Sequence, residues 1–353
     1  MSYPVAVAGS DITFECEPGA SVLDAAETAG WSLPYSCRKG VCDSCAGALV
    51  TGTAEARGTT VTGPAERVLL CQAKPLGPVT IRPRRIVSSG PPPRKKLTTT
   101  VYRVRRPAPR VRILELRLPI GRRAPFRAGQ YLNVFLPDGD TRPYSLANPP
   151  EHNDAAELHV RSEPGGRFSE QIAARLRRGD RLTVETPFGE VFAPEQQDDD
   201  AEKRPLILLA TGTGFAPMKS IVLDHVHRRR SRSVHLYWGA RTEKDLYLSD
   251  LARHWERRYD WFTFVPVLSR PDVAWDGRTG YVQDALLSDR GDLREHDVYA
   301  CGSEAMTASA LAMLSRQAGL PEERFHADAF VPVSGTSTRP GSDFNQEKMT
   351  GQG

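Results

Sequence analysis

The chain has 353 residues, 39% of them apolar and 25% charged, with a net charge of +4. That length exceeds one ordinary core and implies two or three domains, and so small a net charge gives no argument for nucleic acid. The first residues reach Asp11 and Glu15 without a basic-then-apolar leader, and no apolar run approaches a membrane span, so a soluble, cytoplasmic protein is expected.

Residues 3–8 and 12–16 flank a Gly9-Ser10-Asp11 turn and are expected to form a β-hairpin. Ser21 then stands at an N-cap position with Asp24 three residues on, and Gly30 marks the end of the helix. Cys37, Cys42 and Cys45 follow at C-x4-C-x2-C spacing, with Cys71 further on. Four thiolates at this spacing suit the two irons of a 2Fe-2S cluster, with Gly40 letting the backbone curl so that its N–H groups face the sulfides. Zinc sites more often show two C-x2-C pairs or mixed Cys and His ligands, and disulfides would suit a secreted chain. Cys16 and Cys301 are left over. The stretch Leu33-Pro34-Tyr35-Ser36-Cys37-Arg38 through Cys45, with Leu69-Leu70-Cys71-Gln72, resembles plant-type ferredoxins. The resemblance implies a β-grasp 2Fe-2S domain over residues 1–85. That family usually carries a small residue where this chain has Asp43, a carboxylate expected to favour the oxidised cluster and lower its potential. Arg38, Lys39 and Asp43 are expected to form the exposed rim where a partner docks.

Ser88-Ser89-Gly90-Pro91-Pro92-Pro93 has no periodicity, so residues 86–97 read as a linker. Residues 81–110 carry ten Arg and Lys residues and no acid. This band either faces an acidic partner or solvates the linker and an edge strand.

Over residues 98–200, short alternating strands between Gly and Pro turns suggest an antiparallel barrel. Arg142, Tyr144 and Ser145 offer a cation for a phosphate, an aromatic face and a hydroxyl, a set that suits a flavin if all three enter one pocket. Pro164-Gly165-Gly166-Arg167-Phe168-Ser169 leads into an expected helix with Phe168, Ile172 and Leu176 on one face and Gly179 at its end. Gly165, Gly166 and Ser169 are the expected diphosphate contacts. This pair of motifs resembles the FAD-binding barrel of the ferredoxin-NADP reductase superfamily.

Over residues 204–333, an apolar strand at 206–210 runs into Thr211-Gly212-Thr213-Gly214 and a helix at 216–227. Gly212, Thr213 and Gly214 are expected to hold a dinucleotide diphosphate. Strand signals at 234–238, 262–268 and 297–300 alternate with helical stretches, as in a doubly wound parallel α/β sheet. The loop resembles the nicotinamide-nucleotide loop of the same superfamily. Cys301 and Gly302 end the last of these strands, and the resemblance places such a pair beside the nicotinamide; a small buried cysteine is the plain alternative. Arg241 stands where NADPH enzymes read a phosphate, whereas Glu243 and Asp245 would repel one, so NADH is expected. Arg228-Arg229-Arg230 reads as a solvated helix end. Phe325 through Phe330 resembles the superfamily's C-terminal signature, in which an aromatic residue, here Phe330, covers the flavin; a core phenylalanine is the alternative. Residues 334–353 are expected to be disordered.

Taken together, Tyr35-Ser36-Cys37-Arg38-Lys39-Gly40, Ser145-Leu146-Ala147-Asn148-Pro149-Pro150 and Phe325-His326-Ala327-Asp328 make the chain similar to NADH-dependent reductase components of bacterial aromatic-ring oxygenases. The resemblance implies a monomer that passes electrons from NADH through FAD and a 2Fe-2S cluster to a terminal Rieske oxygenase acting on an aromatic acid, with Ser145, Cys301 and Phe330 nearest the chemistry. Flavin belongs between the other two centres because a nicotinamide gives up two electrons as hydride and a cluster accepts one at a time. Reductases of di-iron phenol-type monooxygenases and of deoxysugar dehydratases share this architecture. A redox sensor without turnover is the non-enzymatic alternative.

Overall fold

Alternating apolar residues bring Tyr3–Val7 (β1) and Thr13–Cys16 (β2) together as an antiparallel hairpin in a computed structural model that describes residues 2–88, 94–189 and 203–330. The helix Val22–Thr28 (α1) starts where the Ser21 hydroxyl accepts the Asp24 N–H, and it buries Val22, Leu23, Ala25 and Ala26 against the sheet. After the cysteine loop come Ala46–Thr51 (β3), Thr53–Ala56 (β4), Thr59–Thr62 (β5), Ala65–Leu69 (β6), Lys74–Pro75 (β7) and Val79–Pro83 (β8). The order β2-β1-β8-β3-β6, with β1 parallel to β8, gives the expected β-grasp sheet, and β5-β4-β7 form a small side sheet.

The barrel comprises Lys95–Ala108 (β9), Val111–Arg117 (β10), Tyr131–Phe135 (β11), Thr141–Ser145 (β12), Ala155–Arg161 (β13) and Arg181–Phe188 (β14). All neighbours in the order β12-β11-β14-β9-β10-β13 are antiparallel, and a bridge between Leu146 and Leu158 closes the two edges. β9 begins inside the stretch expected to be linker. Lys95 and Lys96 pair with Thr186 and Glu185, Lys95 donates to the Arg123 carbonyl, and Lys96 lies over the Phe135 ring. Long basic stems can pave a barrel edge while their charges stay wet, which is why a charged stretch forms a strand. Residues 89–93, the core of the expected linker, and the expected tail at 334–353 lie outside the described residues.

The third unit has strands Leu206–Thr211 (β15), Val234–Ala240 (β16), Phe262–Leu268 (β17), Arg278–Thr279 (β18), Asp297–Ser303 (β19) and Phe325–Phe330 (β20), all parallel in the order β18-β17-β16-β15-β19-β20. Helices Phe215–His227 (α2), Ser249–Arg258 (α3), Val282–Asp289 (α4) and Glu304–Ala318 (α5) cover both faces. Alternation along β15 sends Leu206, Leu208 and Ala210 into one core with α2, and Ile207 and Leu209 into another with α4 and α5. Strand order reverses between β15 and β19, so their carboxyl ends open a crevice where such sheets bind ligands. Among the described residues no helix is long and apolar enough to cross a membrane.

Candidate functional site

Residues 33–45 form an irregular loop pegged by buried Leu33 and Tyr35. Its curl needs left-handed backbone at Arg38 (φ 54°), Gly40 (φ 74°) and Asp43 (φ 57°). A Cβ on Gly40 would come 2.8 Å from Gln72 Cγ, so only glycine fits there without displacing that side chain. The curl turns N–H groups toward sulfur: Cys37 N–H donates to Cys42 Sγ (3.4 Å) and Lys39 N–H to Cys37 Sγ (3.3 Å). Gln72 Nε2 donates to Cys71 Sγ and to the Arg38 carbonyl. All six cysteines are free thiols. Cys37 is held down to about 6 by the Cys42 thiol and by neighbouring N–H groups, and Cys42 is pushed up in turn. Cys71 is lowered and Cys45 raised by their own contact. The four thiols thus stand two and two, a donor set that suits two irons with two thiolates each.

The expected docking rim is largely engaged within the chain. Arg38 turns inward over the Tyr35 ring (4.1 Å) and pairs with Asp24 (2.5 Å) and Glu27. Lys39 is lowered by burial and by the nearby Arg142 charge, which puts it toward the barrel. Asp43 pairs with Arg67 (2.5 Å). Much of the basic band is also committed internally: Arg84 pairs with Glu322, Arg94 with Glu27, Arg105 with Glu115 and Arg110 with Glu163.

On the barrel, Arg142 and Tyr144 are two residues apart on β12 and share a face; Tyr144 packs on Phe168 (5.1 Å between centroids) and burial pushes its hydroxyl pKa up. Ser145 is one step further, so it leaves that face and is buried against the third unit. Arg142 pairs with Asp140 (2.6 Å), and Arg167 pairs with Asp138 and Asp140, which gathers cations beside the glycine turn. The expected helix is only a short wide turn, Arg167–Ile172, where Ala173 N–H reaches back to the Phe168 carbonyl. Phe168 and Ala173 both enter the barrel core, and five residues span one face only in a widened turn. Gly165 is left-handed (φ 73°), and a Cβ on Gly166 would collide with Ser169 Oγ, which accepts the Glu163 N–H.

In the crevice, the Gly212–Gly214 turn is pressed onto the end of β19. A Cβ on Gly214 would overlap the Cys301 carbonyl, and one on Gly302 would overlap Thr211 Oγ1. Gly212 is left-handed (φ 54°), and its carbonyl accepts from Trp238 Nε1 (3.0 Å); Gly212 and Thr213 remain partly open to the crevice. Cys301 is buried beside Ser145, and burial pushes its thiol pKa up. Arg241 is exposed just beyond β16. Asp245 is already engaged: its carboxylate accepts the N–H (3.2 Å) and hydroxyl (3.0 Å) of Thr242, whereas Glu243 is exposed. Phe330, half-buried, packs on the core shared with Trp238 and Phe215.

The three units meet around Asp328. Its Oδ1 accepts the Ser36 hydroxyl (2.6 Å) and its Oδ2 the Ser145 hydroxyl (3.3 Å), and burial raises its carboxyl pKa. Ser44 donates to the Ala327 carbonyl (2.9 Å), Tyr131 Oη to the Ser36 carbonyl (3.0 Å), and Gly189 N–H to Tyr35 Oη (3.2 Å). None of Asp328, Ser36 or Tyr131 was singled out as a site residue by sequence reasoning. Arg161, whose Nη1 lies 3.0 Å from where a Gly212 Cβ would stand, was also missed. It carried no local signal, being one of many arginines on strands.

Barrel and sheet are joined by a buried polar network. Lys219 Nζ donates to the Ala147 carbonyl (3.0 Å) and Glu157 (3.3 Å), Ser220 Oγ to the Asn148 carbonyl (2.7 Å), and His159 links Glu157 to Tyr247 (2.7 Å each). Burial would raise the Glu157 pKa, but the His159 hydrogen bond and the Lys219 charge outweigh it and hold it at about 2. A depressed carboxylate contributes stability that is complete above its unfolded pKa and lost as pH falls through the folded one. Glu157→Gln therefore costs about 3–5 kcal/mol at neutral pH, because Lys219 is left buried and unpaired. The deficit shrinks as pH falls from about 4.5 toward 2. Thermal unfolding across that range checks it; a deficit independent of pH would contradict the ion pair.

Three family models cover the chain in the order of these units: the 2Fe-2S iron-sulfur cluster binding domain at residues 5–76, the oxidoreductase FAD-binding domain at 100–192 and the oxidoreductase NAD-binding domain at 208–311. The chain is 43% identical over 336 residues to terephthalate 1,2-dioxygenase, reductase component 2, of Comamonas sp, covering 94% of this chain and 98% of that one. It is 34% identical to the CDP-6-deoxy-L-threo-D-glycero-4-hexulose-3-dehydrase reductase of Yersinia pseudotuberculosis, covering 94% and 99%. Its structure is similar to that of the Amycolatopsis cytochrome P450 reductase GcoB, with a TM-score of 0.74, 32% identity, and coverage of 94% of this chain and 100% of that one. The chain belongs to the family of reductases that join a plant-type 2Fe-2S ferredoxin to FAD-binding and NAD-binding domains, the family of the terephthalate dioxygenase reductase components, and is an NAD(H)-dependent iron-sulfur flavoprotein oxidoreductase.

Proposed function

We propose that this reductase acts as a monomer in the cytoplasm and delivers electrons from NADH to a terminal Rieske oxygenase that attacks an aromatic acid of the terephthalate type. The observation that carries the reading is the 43% identity over 94% of the chain to a terephthalate dioxygenase reductase component. The contacts at Asp328 support its internal wiring, since they bring the cysteine loop, β12 and β20 to one point. FAD, when bound, supplies the conversion from hydride to single electrons. The chain's own residues do the placing. Cys37 with Cys42 and Cys45 with Cys71 hold the two irons. Arg142 neutralises the FAD diphosphate beside Gly165, Gly166 and Ser169, Tyr144 flanks the ring, and Ser145, its hydroxyl donated to Asp328, borders the ring edge from the side of the third unit. Gly212, Thr213 and Gly214 cradle the NADH diphosphate, Arg241 borders its ribose, Cys301 and Gly302 floor the nicotinamide pocket, and Phe330 closes over the flavin.

The test is reconstitution with a purified terephthalate-type Rieske oxygenase, scored as NADH-dependent dihydrodiol formed. Coupled turnover is expected. Product only with a di-iron phenol hydroxylase or a deoxysugar dehydratase would overturn the acceptor assignment, and failure to oxidise NADH with any acceptor would favour a sensor. Asp43 gives a second check. Its carboxylate opposes the added negative charge of a reduced cluster, and Arg67 offsets part of that effect. Asp43→Gly should raise the cluster potential in a redox titration, with stability changed by no more than about 1 kcal/mol. That bound holds because a half-exposed ion pair is exchanged for relief of left-handed strain. A lowered potential would contradict this placement.

A further inference from the structure

The cysteine loop is strapped to the sheet at two points of similar design. Ser36 and Ser44 each directly precede a cysteine of the proposed cluster, and they donate to consecutive residues of β20, Asp328 and Ala327. Ser36 is the tighter of the two. It is 2% exposed, its hydroxyl lies 2.6 Å from a carboxylate oxygen, and its carbonyl is fixed by Tyr131 from the barrel. The other oxygen of the same carboxylate holds Ser145. One side chain therefore ties the residue before Cys37 to the residue proposed at the flavin edge. A serine beside a cluster could instead serve the sulfurs alone, and Ser44 does approach Cys42. The described contacts of the Ser36 hydroxyl go to Asp328 and to no sulfur.

We infer that Ser36 is a positioning residue for flavin-to-cluster electron transfer: its hydrogen bond to Asp328 holds the ferredoxin domain in the docked geometry, and with it the distance the electron must cross. Tunnelling falls exponentially with distance, so a domain that spends less time docked transfers more slowly although each centre is intact. A hydrogen bond to a carboxylate is strong enough that its loss lowers the docking equilibrium constant by about tenfold or more. The inference rests on the FAD placement proposed above, and NADH bleaching of the flavin in the unaltered protein tests that placement separately.

The experiment is anaerobic stopped-flow of the holoenzyme with NADH, following the flavin and cluster bands separately in the unaltered protein and in Ser36→Ala. The expected result is an unchanged flavin phase and a cluster phase slowed by up to about tenfold, with the cluster's absorption and midpoint potential unchanged. Hydrogen exchange should rise together in residues 36–45 and 325–330. A cluster phase at the original rate would overturn the inference. So would a shifted potential with unchanged exchange in β20, because Ser36 would then be acting on the sulfurs. Should Ser36→Ala assemble no cluster, exchange in β20 still decides: increased exchange supports the strap and unchanged exchange overturns it.

Discussion

Cys71→Ser protein should keep most of its NADH-dependent ferricyanide reduction and lose cytochrome c reduction by at least the roughly 100-fold that disturbance of a metal site costs. Cys71 belongs to the core of the ferredoxin unit, whereas the barrel and the parallel sheet have cores of their own. A defect at Cys71 is therefore confined to the exit end of the path, while ferricyanide, a small one-electron acceptor, can still be served from the flavin. Steady-state assays with both acceptors on one preparation measure it, with iron content as the control. Equal loss of both activities would sink the serial arrangement of the centres.

The second large effect is at the other end. A Cβ at position 214 would occupy the space of the Cys301 carbonyl, and both groups are backbone at the ends of neighbouring strands, so neither can swing aside as a side chain would. Gly214→Ala must push the nucleotide turn away from β19. A displacement of about 1 Å at a reacting pair can cost about 100-fold in rate, and the overpacking itself costs about 1–3 kcal/mol. NADH should therefore bleach the flavin of this variant about 100-fold more slowly, while dithionite reduces flavin and cluster as before. Normal bleaching by NADH would show that the close approach of Gly214 and Cys301 does not set the nicotinamide position.

What was legible in the sequence was local. The spacing of Cys37, Cys42 and Cys45, the Ser21 cap, the Thr211-Gly212-Thr213-Gly214 turn after an apolar strand, and the alternation in β10 and β13 all lie within a few residues, and the structure forms each of those elements. The pairing of these pieces across the chain was not legible. Ser36 and Asp328 are 292 residues apart, and neither has a neighbour in sequence that hints at the other. Charged side chains were misread for a related reason. Arg38 sits in a loop that looks exposed, but the Tyr35 face and two carboxylates of α1 draw it inward, a choice made by tertiary surroundings. The run from Arg167 suggested an ordinary helix because Phe168, Ile172 and Leu176 fit its period, and the burial of Ala173 overrode it. Lys95 and Lys96 looked like linker because strand formation by lysine depends on a neighbouring edge that local pattern does not reveal.

Arg94 also changes what the proline-rich joint does. As the first described residue after that joint, it reaches back to Glu27 and Tyr35 of the ferredoxin unit while its guanidinium covers Phe188 of the barrel. The tether is thus stapled to both bodies at its exit. In tethered systems the encounter rate of two modules is set by an effective concentration that depends on tether length. Here the staple and the straps on β20 hold the modules together directly, so the length of the joint drops out of the transfer rate so long as they remain closed. Internal electron flow then takes place within the closed arrangement, and lengthening the joint would be felt only by molecules whose staple has opened.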